Sequence, residues 1–180
     1  MLNFLVHTIA CILLVSLTQV MSHSFRLHDS TPNLLLMYVL LISLDPTERL
    51  SALISVIAGL YADFLSGTPP GTMAVSYMLI SKASGELVKK ITFFHRVWWR
   101  FPVLVIVATV SVYTMAALWT YGLTLVHLPV INIGVGFFTK LLPYLLMYNI
   151  LLAYPMYCFH YGIKKILEGI ERKQKSGVGL

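Results

Sequence analysis

The sequence predicts an all-α integral membrane protein, a six-transmembrane-helix bundle, and three observations predict it. Apolar residues make up 58% of the chain and charged residues only 11%, with a mean hydropathy of +0.81. A water-soluble domain carries about 25% charged and about 45–50% apolar residues, so this chain lacks the polar surface to cover itself in water. The apolar residues fall into six runs, approximately 2–21, 33–44, 50–66, 71–88, 102–126 and 136–163. The runs are continuous rather than alternating, which selects helices over a lipid-facing barrel, since backbone groups in lipid must be satisfied internally. The third observation is where the basic residues stand. With six spans and an inside N-terminus, Arg49, Lys82, Lys89, Lys90, Arg96, Arg100, Lys164, Lys165, Arg172, Lys173 and Lys175 fall on the cytoplasmic side, and only Arg26 and Lys140 outside. That asymmetry places both termini in the cytoplasm.

The first run, MLNFLVHTIACILLVSLTQVM, lacks a positive leading region and a small-x-small cleavage site, so it reads as a span rather than a removable signal. The second, NLLLMYVLLISL, is short against the roughly 17–25 residues that cross a bilayer unaided, a shortfall that burial among neighbours or local thinning can accommodate. Thr31 and Pro32 offer an N-cap and first-turn proline for it. Asp45, Pro46 and Glu48 offer a capping box for the third helix.

Between the fourth and fifth runs, residues 87–101 place Leu87, Ile91, Phe94, Trp98 and Phe101 on one stripe, with Lys89, Lys90, Arg96 and Arg100 largely off it. Such a stretch suits the inner membrane surface, with its basic heads on anionic lipid. The plain reading is a positive-inside anchor, and the functional one is a docking face for a partner. Residues 1–168 thus form the membrane domain, and 169–180 a basic cytoplasmic tail. The net charge of +6 follows from this topology, and no feature calls for nucleic acid.

In the third run, Ser51, Ser55, Gly59, Ala62 and Ser66 form a ridge of small residues that lets another backbone come close. Asp63 follows Gly59 by four residues, on the same line, and so faces a neighbouring helix rather than lipid. The turn SGTPPG comes next. Two roles fit this acid. It can staple the third helix to the 66–72 turn and the fourth helix, with Thr68, Thr72 and Tyr77 as hydrogen-bond partners, or it can belong to a proton or substrate path. Asn149, mid-helix in the last run, suits hydrogen bonding between helices. Pro143 and Pro155 suit kinks there. The tyrosines of the last run read as packing and interfacial belt.

Catalytic and metal templates are absent: there is no HExxH, GxSxG or phosphate loop. His7, His127 and His160 lack metal spacing, and Cys11 and Cys158 read as small apolar residues. No cofactor or metal is expected, and no enzyme.

The run TPNLLLMYVLLISLDPTERLSALISVIAGLYADFLSGTPPGTMAVSYMLI resembles MreD, the rod shape-determining membrane protein family of bacteria. The likeness lies in an x-Pro-Asn lead into a short helix, a basic turn, and a G-x-x-x-D-x-x-S-G-x-x-x-G stretch. That stretch is here Gly59, Asp63, Ser66, Gly67 and Gly71. It covers about residues 31–80; Asn149 followed by Pro155 and a basic end is similar in pattern. The chain departs from the family in having Thr31 where a basic residue usually precedes the proline. The resemblance implies a non-enzymatic scaffold of the cell-elongation complex in the bacterial cytoplasmic membrane. It would pair with an MreC-like single-span protein to organise side-wall peptidoglycan synthesis and rod shape. RodA-type glycosyltransferases, penicillin-binding transpeptidases and MreB filaments, met directly or through MreC, are the further partners implied. The family is also similar in fold to the substrate-binding (S) subunits of energy-coupling-factor transporters. That likeness supplies the alternative function, a vitamin or micronutrient capture subunit. The first run holds a single alanine, Ala10, where those subunits usually show an Ala-x-x-x-Ala docking pattern.

Overall fold

A computed structural model describes residues 2–24, 30, 32–45, 50–90, 100–125 and 136–175. These form six α-helices and, among the described residues, no strand: α1 (Leu2–Ser24), α2 (Leu34–Leu44), α3 (Ser51–Ser66), α4 (Thr72–Lys90), α5 (Arg100–Leu125) and α6 (Leu142–Lys175). A five-residue π-helical turn, Phe137–Leu141, leads into α6. It falls just where the ring of Pro143 would press on the carbonyl of Thr139 in a regular helix.

The short helix is the centre of the bundle. Ten residues of α2, Leu34 to Ser43, are buried, and α2 packs against all five other helices. A helix apolar on every side has no preferred face and must be surrounded. Around it, α3 packs on α1 and α4, and α5 on α4 and α6. Helix directions alternate. Asn33 and Asp45, at the two ends of α2, meet Asn149 and then Lys164 in chain order, so α6 runs with α2. Thr109 meets Asn149 and Phe101 meets Tyr157, so α5 runs against α6. One end of the bundle therefore gathers the starts of α1, α3 and α5 and the finishes of α2, α4 and α6.

The ring helices turn apolar side chains outward. Leu13, Leu53, Phe64, Leu118 and Leu151 are exposed, Phe64 to 84%. Two helices, Phe101–Leu125 and Phe138–Ile170, are long and apolar enough to cross a membrane; Asn3–Thr18, Leu34–Leu44 and Ser51–Ser66 are shorter apolar helices.

Two expectations about helix ends are corrected. The N-cap of α2 is Asn33, whose side chain accepts from the Leu36 N–H at 3.0 Å. Pro32 therefore precedes the cap instead of opening the helix, and Thr31 lies outside the described residues. Asp45 caps the C-terminus of α2 rather than the N-terminus of α3, which starts after Leu50 with no side-chain cap. Residues 46–49, the rest of the expected capping box, lie outside the described residues. α6 runs to Lys175, through Pro155 and past residue 169, on the strong helix formers of KKILEGIERKQK. The amphipathic stretch at 87–101 is described only at its ends. Lys89 and Lys90 close α4 and Arg100 opens α5, while 91–99, with Arg96, lie outside the described residues.

Close approach of α3 and α4 is the tightest packing feature. A methyl group added at Gly59 would lie 2.6 Å from the Ala74 amide nitrogen and 2.8 Å from the Met73 carbonyl carbon, inside any van der Waals contact. Gly59→Ala is therefore expected to lower stability by about 2 kcal/mol through overpacking against backbone. Gly122→Ala, where a methyl meets nothing within 4 Å, is expected to be neutral or slightly stabilising. Thermal unfolding of both variants in the same detergent checks the contrast.

Candidate functional site

Asp63 lies one turn before the end of α3 and is 1% exposed. The helix stops at Gly67, which takes a left-handed conformation with φ +66°, and the turn that follows reaches Gly71 at φ +99°. Both values favour glycine, since a side chain there is strained. The two glycines fold residues 67–71 back over the Asp63 side chain. Oδ1 accepts from the Thr68 hydroxyl at 2.7 Å and from the Met73 N–H at 2.9 Å. Oδ2 accepts from the Gly71 N–H at 2.9 Å and the Ala74 N–H at 3.4 Å. The first N–H groups of any helix lack partners within it. Here an acid on the neighbouring helix supplies them, acting as an N-cap from outside the capped helix.

The remaining turn residues serve the same geometry. Ser66 donates to the Ala62 carbonyl at 2.7 Å, and its hydroxyl lies 3.0 Å from that of Thr68. Of the expected partners of Asp63, Thr68 makes the bond. Thr72 instead donates to the Pro69 carbonyl at 2.7 Å, and Tyr77 points into the bundle toward Asn33.

A second polar junction fastens the other side of α2. Asn149, fully buried, accepts from the Asn33 N–H at 2.9 Å and donates to the Thr109 hydroxyl at 3.0 Å. The Asn33 side chain lies 3.0 Å from the Tyr77 hydroxyl. One asparagine thus joins α6 to α5 and α2, and the next joins α2 to α4. At the opposite end, Lys164 reaches Asp45 at 2.6 Å, tying α6 to the finish of α2.

Asp63, Gly59, Ser66, Gly67 and Gly71 therefore come together, while Asn149 sits in a separate junction and Pro155 lies further along α6, apart from both. Lys89, Lys90 and Arg100 stand at helix ends. Sequence reasoning missed Asn33 as a cap, the pairing of Tyr77 with Asn33, Thr109, and the Lys164–Asp45 pair. The signal for Asn33 was present: asparagine before an apolar run is a preferred N-cap. Also missed was a buried ring cluster in which the His7 Nδ1 lies 2.8 Å from the Tyr38 hydroxyl and His160 stacks on His7 at 6.1 Å. Among the described residues, no three His, Cys, Asp or Glu side chains group so as to hold a metal ion.

Comparison with protein-family models, with curated proteins and with solved structures gives no match.

Three substitutions test the junctions. Asp63→Ala leaves three N–H groups, one buried and two part-buried, without their acceptor and is expected to cost roughly 3 kcal/mol, against about 1 kcal/mol for Thr68→Val, which removes a single neutral donor. Asn149→Leu is expected to cost about 2 kcal/mol, chiefly by stranding the Asn33 N–H. Unfolding midpoints in mild detergent measure all three.

Proposed function

We propose that this chain is a non-enzymatic scaffold that crosses the bacterial cytoplasmic membrane six times, with both termini in the cytoplasm. It pairs with an MreC-like single-span protein to organise side-wall peptidoglycan synthesis. RodA-type glycosyltransferases, penicillin-binding transpeptidases and MreB filaments are the further members of that assembly. The motif likeness over residues 31–80 supplies the family.

One observation favours a scaffold over a carrier or enzyme. The acid within the bundle is engaged at both oxygens by donors of its own chain, from Thr68, Gly71, Met73 and Ala74. A residue so engaged builds a rigid hairpin, and a rigid bundle with apolar outer faces suits holding another helix in lipid. Six crossings are supported by the alternating helix directions. They bring the finishes of α4 and α6 and the starts of α3 and α5 to one end, where the basic residues of the sequence concentrate. α2 completes the count as a span sheathed by protein, so its length is not set by lipid.

Topology and partnership are tested together. In a variant with Cys11 and Cys158 replaced by alanine, a cysteine at position 95 is expected to react only with membrane-permeant reagents in intact cells. A cysteine at position 130 is expected to react with impermeant ones, and the reverse pattern rejects the arrangement. Bulky substitutions at Leu13, Leu53, Leu118 and Leu151, on the outward faces, are expected to reduce co-purification of the MreC-like protein at one face only. Undiminished recovery at all four removes outward-face docking. Saturable nutrient uptake that requires this chain would assign it instead to a transporter's capture subunit.

A further inference from the structure

We infer that a cleft above the N-terminus of α2 is a binding site for a small uncharged aromatic molecule carrying one hydroxyl group. The inference does not depend on the scaffold reading. The described residues leave a cleft beyond the start of α2. Residues of α1, α3, α4 and α5 wall it, and the lead-in and first turn of α2 floor it, leaving a cavity of about 170 Å³. An engineered apolar cavity of about 150 Å³ in another protein admits benzene, and sites for drug-sized ligands run to about 300–1,000 Å³. The cleft, which is partly open, therefore has room for one ring.

Its lining decides the chemistry. Among the described residues, no Asp, Glu, Lys, Arg or His side chain lines it. Asp63 stands beside the lining residue Ala62, but both its oxygens already accept from the α3–α4 turn and the start of α4. A charged ligand would lose its hydration and meet no counter-charge, at a large desolvation cost. Ala62, Leu65 and Met73 give an apolar wall, and a methionine sulfur is a favourable neighbour for an aromatic ring. Asn33, Tyr77 and Tyr113 give a polar edge. A phenolic oxygen has one donor and two acceptor positions, so Tyr77, bonded to Asn33, retains capacity for a ligand hydroxyl. Apolar walls with a few convergent polar groups are the usual makeup of a small-molecule site.

The test uses the full chain in lipid nanodiscs and ¹⁹F NMR with 4-fluorophenol, fluorobenzene and 4-fluorobenzoate. Saturable binding of 4-fluorophenol is expected, about tenfold weaker binding of fluorobenzene, and none of 4-fluorobenzoate. Tyr77→Phe is expected to bring 4-fluorophenol to the fluorobenzene level. Ala62→Leu and, separately, Val15→Phe fill the cleft and are expected to abolish saturable binding of both. Non-saturable 4-fluorophenol, equal affinity for fluorobenzene, or binding of 4-fluorobenzoate overturns the inference. So does tighter binding of 1-octanol than of 4-fluorophenol, which would give the cleft to lipid chains.

Discussion

Eleven residues of helix rise about 16 Å, roughly half of a hydrocarbon core about 30 Å thick. α2 has no polar face to turn to water and too little length to cross lipid alone, so the other five helices must enclose it. That constraint orders the rest of the structure. It requires a ring that is tight at α3 and α4, and it requires polar links at both ends of the post to set its height and rotation. Among the described residues, a cleft opens above the N-terminus of α2.

Each fastening answers a cost that lipid or a dry interior imposes. Hydrophobic drive between helices is weak where the solvent is itself apolar, so close packing and hydrogen bonds carry more of the association. Gly59 supplies the packing by removing the side chain that would hold the α4 backbone away. Asp63 supplies the hydrogen bonds, and does so for the start of a helix whose own turn offers no acceptor to the Met73 N–H. Asn149 and Asn33 repeat the logic at the lead-in to α2, where one amide accepts from backbone and donates to a threonine on a third helix. The Lys164–Asp45 pair is of another kind. Lys164 is partly exposed, so the pair contributes orientation more than stability.

Much of this was legible in the sequence because it is local. The small-residue ridge, the acid on its line and the glycine turn are consecutive, and apolar runs mark helices whatever surrounds them. The helix ends were less so. Thr31-Pro32 and Asp45-Pro46 are good caps by residue type, but Asn33 was the cap that the fold used, and Asp45 turned to a lysine 119 residues away. Partners such as Thr109 for Asn149, or His160 for His7, are set by which helices become neighbours, and no spacing along the chain records that. The extension of α6 was hidden for a simpler reason: its last turns are charged, and an apolar run can end well before the helix that carries it does.

The claim on which this account rests is that α2 is enclosed by protein and not by lipid, and paramagnetic quenching measures that directly. With the chain in nanodiscs containing nitroxide-labelled acyl chains, methyl groups of Leu36, Met37, Val39 and Leu40 should keep their NMR intensity. Those of Leu13, Leu53, Leu118 and Leu151 should be broadened. Broadening of the α2 methyls to the same degree would place that helix against lipid and contradict the architecture.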